Sequence, residues 1–165
     1  MMLKSAPNRP RHAQRAFTLI ELMVAVVVVA LLASVALPSF MDSIRKSRRS
    51  EAFAALSAVQ QAQERWRGNN ASYTTALANT AASGSPPNGL GLPATTSSGY
   101  YTVALSDATA TGYKVTATAV AGKSQADDGI CVRLRIEMAG GNIVYGSATA
   151  AGAFDTSANN RCWAR

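Results

Sequence analysis

The chain has 165 residues, a formal charge of +7 and a single histidine. That length holds one domain with a modest core plus one long appendage. One histidine, His12, and two distant cysteines, Cys131 and Cys162, exclude the Cys/His clusters that a structural zinc site needs.

Residues 1–15 are basic and rich in Pro and Asn, and read as a targeting leader rather than folded structure. Lys4, Arg9, Arg11 and Arg15 precede an apolar run, and Arg45, Lys46, Arg48 and Arg49 follow it. Half of the basic residues therefore flank one hydrophobic segment. They read first as membrane-surface and orientation charges, ahead of nucleic-acid contacts. Residues 22–37 carry no charge, and the apolar stretch extends over 17–41. As a helix it would be roughly 37 Å long, enough to cross a bilayer with tilt.

An ordinary signal peptide is the rival reading, because Ser34 and Ala36 in "LLASVALPS" offer small residues before a cut that would discard the anchor. Two features oppose it. Glu21 interrupts the apolar run, where an ionised group costs roughly 2.5–3.5 kcal/mol at a membrane helix centre. The helical pattern also resumes directly after Pro38, although proline lacks an amide hydrogen and should kink or loosen the helix there.

From 39 to 67 the apolar residues Phe40, Ile44, Ala52, Ala55, Leu56, Val59, Ala62 and Trp66 recur mainly at spacings of three and four, which predicts an amphipathic helix stopped near Gly68. Residues 68–98 form a long Gly/Ser/Thr/Asn/Pro-rich connection, of a length that is usually functional or mobile. Asn70 there begins a glycosylation-type sequon by pattern alone.

Beyond it the period becomes two. Tyr101, Val103 and Leu105 define one face of a first strand, and Tyr113, Val115, Ala117 and Ala119 one face of a second. In "ICVRLRIEM" the alternation places Ile130, Val132, Leu134, Ile136 and Met138 on one side. Cys131, Arg133, Arg135 and Glu137 fall on the other. "GGN" at 140–142 is a hairpin signal leading into "IVYG". Four successive strands predict an α+β fold: an antiparallel meander whose apolar face is covered by the amphipathic helix. Two cysteines in an exported domain read as one disulfide. If formed, it would pin the weakly hydrophobic segment 147–162, with about 3–4 kcal/mol from loop closure.

"FTLIELMVAVVVVALLASVALPSF" resembles the N-terminal signature of the type IV pilin family, matching at Phe17, Thr18, Leu19, Ile20, Glu21, Leu22, Met23 and Pro38. The later segments "GYYTVAL", "YKVTATA", "QADDGICVRL", "GGNIVYG" and the final "CW" are most similar to PilE-type minor pilins. The resemblance implies the type IV pilin fold and five regions. These are a leader at 1–16, a membrane or filament-core helix at 17–38, its amphipathic half at 39–67, a connecting loop at 68–98, and a sheet with a disulfide-bounded end at 99–165. It implies that a prepilin peptidase cuts between Ala16 and Phe17, and that the new Phe17 amine is methylated. Ala16 departs from the family's glycine, which predicts slower cleavage, since glycine reaches conformations that alanine resists. It further implies that Glu21 pairs with the Phe17 amine of a neighbouring subunit, and that Pro38 marks a place where the helix melts in filaments. The implied location is the bacterial inner membrane, then the pilus surface, with the globular part periplasmic or extracellular. The implied partners are other pilins and the assembly machinery.

No catalytic constellation is present, and no cofactor is implied. "GLGLP" at 89–93 lacks the third glycine and the helix of a phosphate loop. Asp127 and Asp128 have too few companions for calcium and read as solvated loop acids. The expectation is a structural pilus subunit serving assembly, twitching, adhesion or DNA uptake. Two alternatives stay open. One is a type II secretion pseudopilin. The other is a DNA-binding minor pilin, with Arg133 and Arg135 beside Lys114, and Arg161, Trp163 and Arg165 as contacts. Basic residues near an aromatic ring suit phosphate and base, but a solvated sheet face has the same composition.

Overall fold

The computed structural model describes residues 17–82 and 85–163. Helix α1 runs over Leu19–Arg67. Thr18 caps its start: the Thr18 hydroxyl accepts the Glu21 amide at 3.2 Å. Thr18 with Glu21 three residues on has the spacing of a capping box. Pro38 lies inside α1 and does not end it. The helix stops at Gly68, whose amide reaches the Glu64 carbonyl at 3.1 Å.

The chain divides into two compact units, Met1–Met41 and Asp42–Arg165. In the first, the large apolar side chains of α1 are exposed, Leu19 at 77% and Val35 at 76%. One helix is thus long and apolar enough to cross a membrane.

The second unit carries the core. Strands β1 (Tyr101–Ser106), β2 (Gly112–Ala119), β3 (Arg133–Ala139) and β4 (Asn142–Ala148) form an antiparallel sheet in the order β1-β2-β3-β4. Ala52, Leu56, Val59 and Ala62 of α1 are buried, at helical spacing. They join Tyr101, Val103, Tyr113, Val115, Ala117, Leu134 and Ile136, the residues that alternation assigned to the inner face. Gly140 and Gly141, with φ of 56° and 85°, make the two-residue β3–β4 turn. Two consecutive positive φ values are the requirement of a type I′ hairpin.

The connection at 68–98 is tied down. Leu90 donates to Ala76 and Leu92 to Leu77 at 2.9 Å, and Asn88 accepts the amides of Thr80 and Ala81. Leu77 reaches the core. Gly89 passes so close to the Ala78 carbonyl that a Cβ would lie 2.1 Å from its oxygen, so no side chain fits there.

The third strand differs from the sequence expectation. It begins at Arg133, not Ile130. Residues Ser124–Asp127 and Gly129–Cys131 instead form two 3-10 turns, separated by Asp128 and helped by Gly129 at φ 55°. Ile130, expected inside, is exposed, and Cys131, expected on the polar face, is 3% exposed. Asp128 is not a solvated loop acid either. Its carboxylate lies under α1, where Arg49 Nε and Nη2 donate to its two oxygens at 2.5 and 2.6 Å. That contact joins positions 79 apart, beyond any local periodicity.

Candidate functional site

Three groups of residues carry the functional expectations. The first is at the start of α1. Phe17 is exposed, and Glu21 is exposed in the first turn, where the helix dipole favours a carboxylate. Ala16 lies outside the described residues. The helix continues through Pro38 although the Ser34 carbonyl has no amide to accept from at that position.

The second group is the C-terminal segment. Cys131 and Cys162 form a disulfide with Cα atoms 5.5 Å apart. Ser147 and Asp155 exchange backbone hydrogen bonds of 3.0 and 2.8 Å. Asn160 accepts from the Ser147 hydroxyl and from the Cys162 amide, and donates to the Asp155 carbonyl at 2.6 Å. The tail is thus held to β4 by backbone and side-chain hydrogen bonds, and to the turn before β3 by the disulfide.

The third group is the basic residues. Antiparallel register sets Arg133 opposite Thr118 and Ala148, and Arg135 opposite Thr116 and Gly146, on the outer face of the sheet. Their guanidinium carbons stand 4.8 and 3.5 Å from the centre of one ring, that of Phe154. Arg133 also donates to the carbonyls of Thr149 and Gly152, the first at 2.9 Å. It is therefore largely committed to holding the 149–154 loop. Arg135 keeps more free donors, with Glu137 at 3.9 Å. Lys114 is compensated by Asp107 at 3.0 Å and Glu137 at 3.6 Å. The hydrogen bond to Asp107, then the field of Glu137, raises its pKa above the ordinary lysine value.

Trp163 belongs to the other side of the sheet. Its ring centre is 4.8 Å from those of Phe53 on α1 and Tyr145 on β4, and its indole N–H donates to the Gly146 carbonyl at 3.0 Å. Tyr145 pairs with Ile136, a core residue, so this aromatic trio lies on the helix-facing side. Arg133 and Arg135 share a face; Trp163 does not join them. Arg161 is exposed next to Cys162, and Arg165 lies outside the described residues. Sequence reading missed Phe154, which sits in a stretch with no periodicity. Among the described residues no cluster of three or more His, Cys, Asp or Glu is placed to hold a metal ion.

A long N-terminal helix, a four-stranded antiparallel meander covered by that helix, and a C-terminal disulfide together define the type IV pilin fold. Two family models match the chain: the prokaryotic N-terminal methylation motif over residues 11–37, and the type IV minor pilin ComP, DNA uptake sequence receptor, over residues 38–135. The second match takes in more than half of the chain, which therefore belongs to that family of type IV minor pilins.

Similar proteins include the fimbrial protein EcpC of Eikenella corrodens, 44% identical over 43 residues, which are 26% of this chain and 28% of that one. The type IV major pilin protein PilA of Myxococcus xanthus is 44% identical over 55 residues, 33% of this chain and 24% of that one. The type II secretion system core protein G of Klebsiella michiganensis is 34% identical over 65 residues, 39% of this chain and 46% of that one. The chain thus aligns with less than half the length of these relatives.

Proposed function

We propose that this chain is a minor subunit of a type IV pilus that acts in DNA uptake. It is held in the inner membrane by residues 17–38 until it is drawn into the filament. A prepilin peptidase removes residues 1–16, and Glu21 then meets the Phe17 amine of a neighbouring subunit. Such a pair in apolar surroundings compensates two charges that are each costly alone, so a shifted register leaves both exposed to hydrocarbon. The match of residues 38–135 to a DNA uptake sequence receptor carries the DNA part of the reading.

The outer sheet face supports it. Arg135, its guanidinium carbon 3.5 Å from the centre of the Phe154 ring, can offer its donors to phosphate. The test is binding of the full chain in detergent micelles to labelled duplex DNA across a salt series. Affinity should fall steeply with salt, and Arg135→Gln should flatten the log–log slope by about one phosphate contact. Binding that ignores salt, or none at low salt, refutes the DNA role. The intact mass of the subunit from sheared filaments tests the rest: the chain should begin at methylated Phe17.

A further inference from the structure

The cations that follow the apolar segment are not equivalent in the fold. Arg45 stands 3.5 Å from Asp42, and Arg49 is held by Asp128. Arg48 is placed differently. Its guanidinium carbon lies 4.1 Å from the centre of the Tyr100 ring, and it donates to the Ser124 hydroxyl. Lys123, just before the first 3-10 turn, brings its ammonium to 5.7 Å from the same ring. Two cations from distant parts of the chain therefore converge on one half-buried aromatic ring.

Among the described residues neither cation has a carboxylate partner. The acids around them are engaged elsewhere: Asp42 with Arg45, Asp128 with Arg49, and Glu51 with the hydroxyls of Ser97 and Ser98. Asp127 is exposed on the same 3-10 turn and forms no ion pair with either. A ring attracts a cation through its quadrupole but cancels no charge. Two like charges beside one ring repel, and an anion within reach of both offsets that repulsion with two attractions.

We propose that Arg48 and Lys123 bind the phosphate of an anionic phospholipid headgroup, with Tyr100 as the ring on which both converge. The inference rests on the membrane anchoring proposed above. Three observations favour lipid over other phosphates. Arg48 follows Met41, the last residue of the apolar stretch, by only seven positions. Tyrosine suits headgroup depth, with its ring in the apolar boundary and its hydroxyl in water. Basic groups just beyond a membrane segment are drawn to anionic lipid within a Debye length. The site would steady the subunit at the bilayer surface before extraction, and release it when it leaves the lipid.

The experiment uses the full chain in lipid nanodiscs and measures amine-reactive labelling of each lysine by mass spectrometry. Discs of phosphatidylcholine are compared with discs containing about one third phosphatidylglycerol. Lys123 should label about threefold or more slowly in the anionic discs, and Lys114, already paired with Asp107 and Glu137, should not respond to the lipid. Arg48→Gln should abolish the protection at Lys123 while leaving Lys114 unchanged, which also reports that the fold is intact. Equal labelling of Lys123 in both discs overturns the proposal. So does equal protection in phosphatidylcholine discs by inorganic phosphate or by duplex DNA, which would assign the site to a soluble anion or to nucleic acid. A chain that fails to co-elute with discs refutes the anchoring itself, an outcome distinct from incorporation without protection.

Discussion

Replacing Asp128 with alanine should be the most damaging single change on the polar side of the core. Arg49 keeps only 14% of its side chain exposed and Asp128 5%. The guanidinium fork meets both carboxylate oxygens, at 2.5 and 2.6 Å. The hydrogen bond that Arg49 donates to Asp128 raises the Arg49 pKa above its ordinary value, and a guanidinium keeps its proton even without that partner, so the cation has no escape by deprotonation. Asp128→Ala therefore leaves a buried, unpaired charge, at a cost of about 3–5 kcal/mol. The Asp128 carbonyl still accepts the Cys131 amide, so the turn itself is spared.

Residues 42–165 contain the whole buried cluster, which runs from Ala52 to Cys162, and should fold alone. Urea unfolding of that fragment is the assay. At about 1–3 kcal/mol per molar, the midpoint should fall by roughly 2 M. The double variant Arg49→Met with Asp128→Leu should recover most of the loss, because apolar packing of similar volume replaces a buried pair at little cost. An Asp128→Ala cost below about 1 kcal/mol, the range of exposed pairs, would refute the reasoning and mean that water reaches the pair.

Further outcomes follow from the same packing. Leu56, fully buried in α1, should cost about 2–5 kcal/mol when changed to alanine, read by the same urea midpoints. The paired change Cys131→Ser with Cys162→Ser should cost about 3–4 kcal/mol for the opened loop of separation 31, and added reductant should then have no additional effect. Burial, before any charge effect, raises the phenol pKa of Tyr113 and of Tyr101 above the ordinary tyrosine value. Above pH about 10 the unfolded chain loses those protons while the folded chain keeps them, so stability should fall as pH rises, and be independent of these groups below that value. Tyr113→Phe should lessen that fall and leave neutral stability unchanged or higher, since the buried Tyr113 hydroxyl has no hydrogen-bond partner among the described residues.

Much of the sheet was legible because its inner face alternates strictly: Tyr101 and Val103, Tyr113 to Ala119, Leu134 and Ile136 all lie where period two puts them. The same rule misplaced the start of β3. Ile130, Cys131 and Val132 continue the alternation on paper, yet Gly129 at positive φ and the turn around Asp128 break the strand there. Cys131 is buried by its bond to Cys162, a constraint that no local pattern encodes. The Arg49–Asp128 pair, the Phe154 ring beneath two arginines, and the meeting of Arg48 with Lys123 all join residues far apart in sequence. Each depends on register and loop path, which composition cannot supply. At the start of α1 the reverse holds: the spacing of Thr18 and Glu21 is a local signal of a helix start, and the Thr18 hydroxyl caps the Glu21 amide there.

The disulfide has a mechanical consequence. A subunit in a fibre carries load, and a pulled domain yields by paying out chain. Cys131 and Cys162 bracket β3, β4 and most of the tail, a separation of 31 residues. Fully extended, that loop would release about 105 Å of slack. The covalent bridge takes it out of the force path. Tension applied between α1 and Trp163 passes from sulfur to sulfur, and the outer half of the sheet bears none of it along its own backbone. The arginine-bearing strand β3 would keep its shape while the filament is under strain.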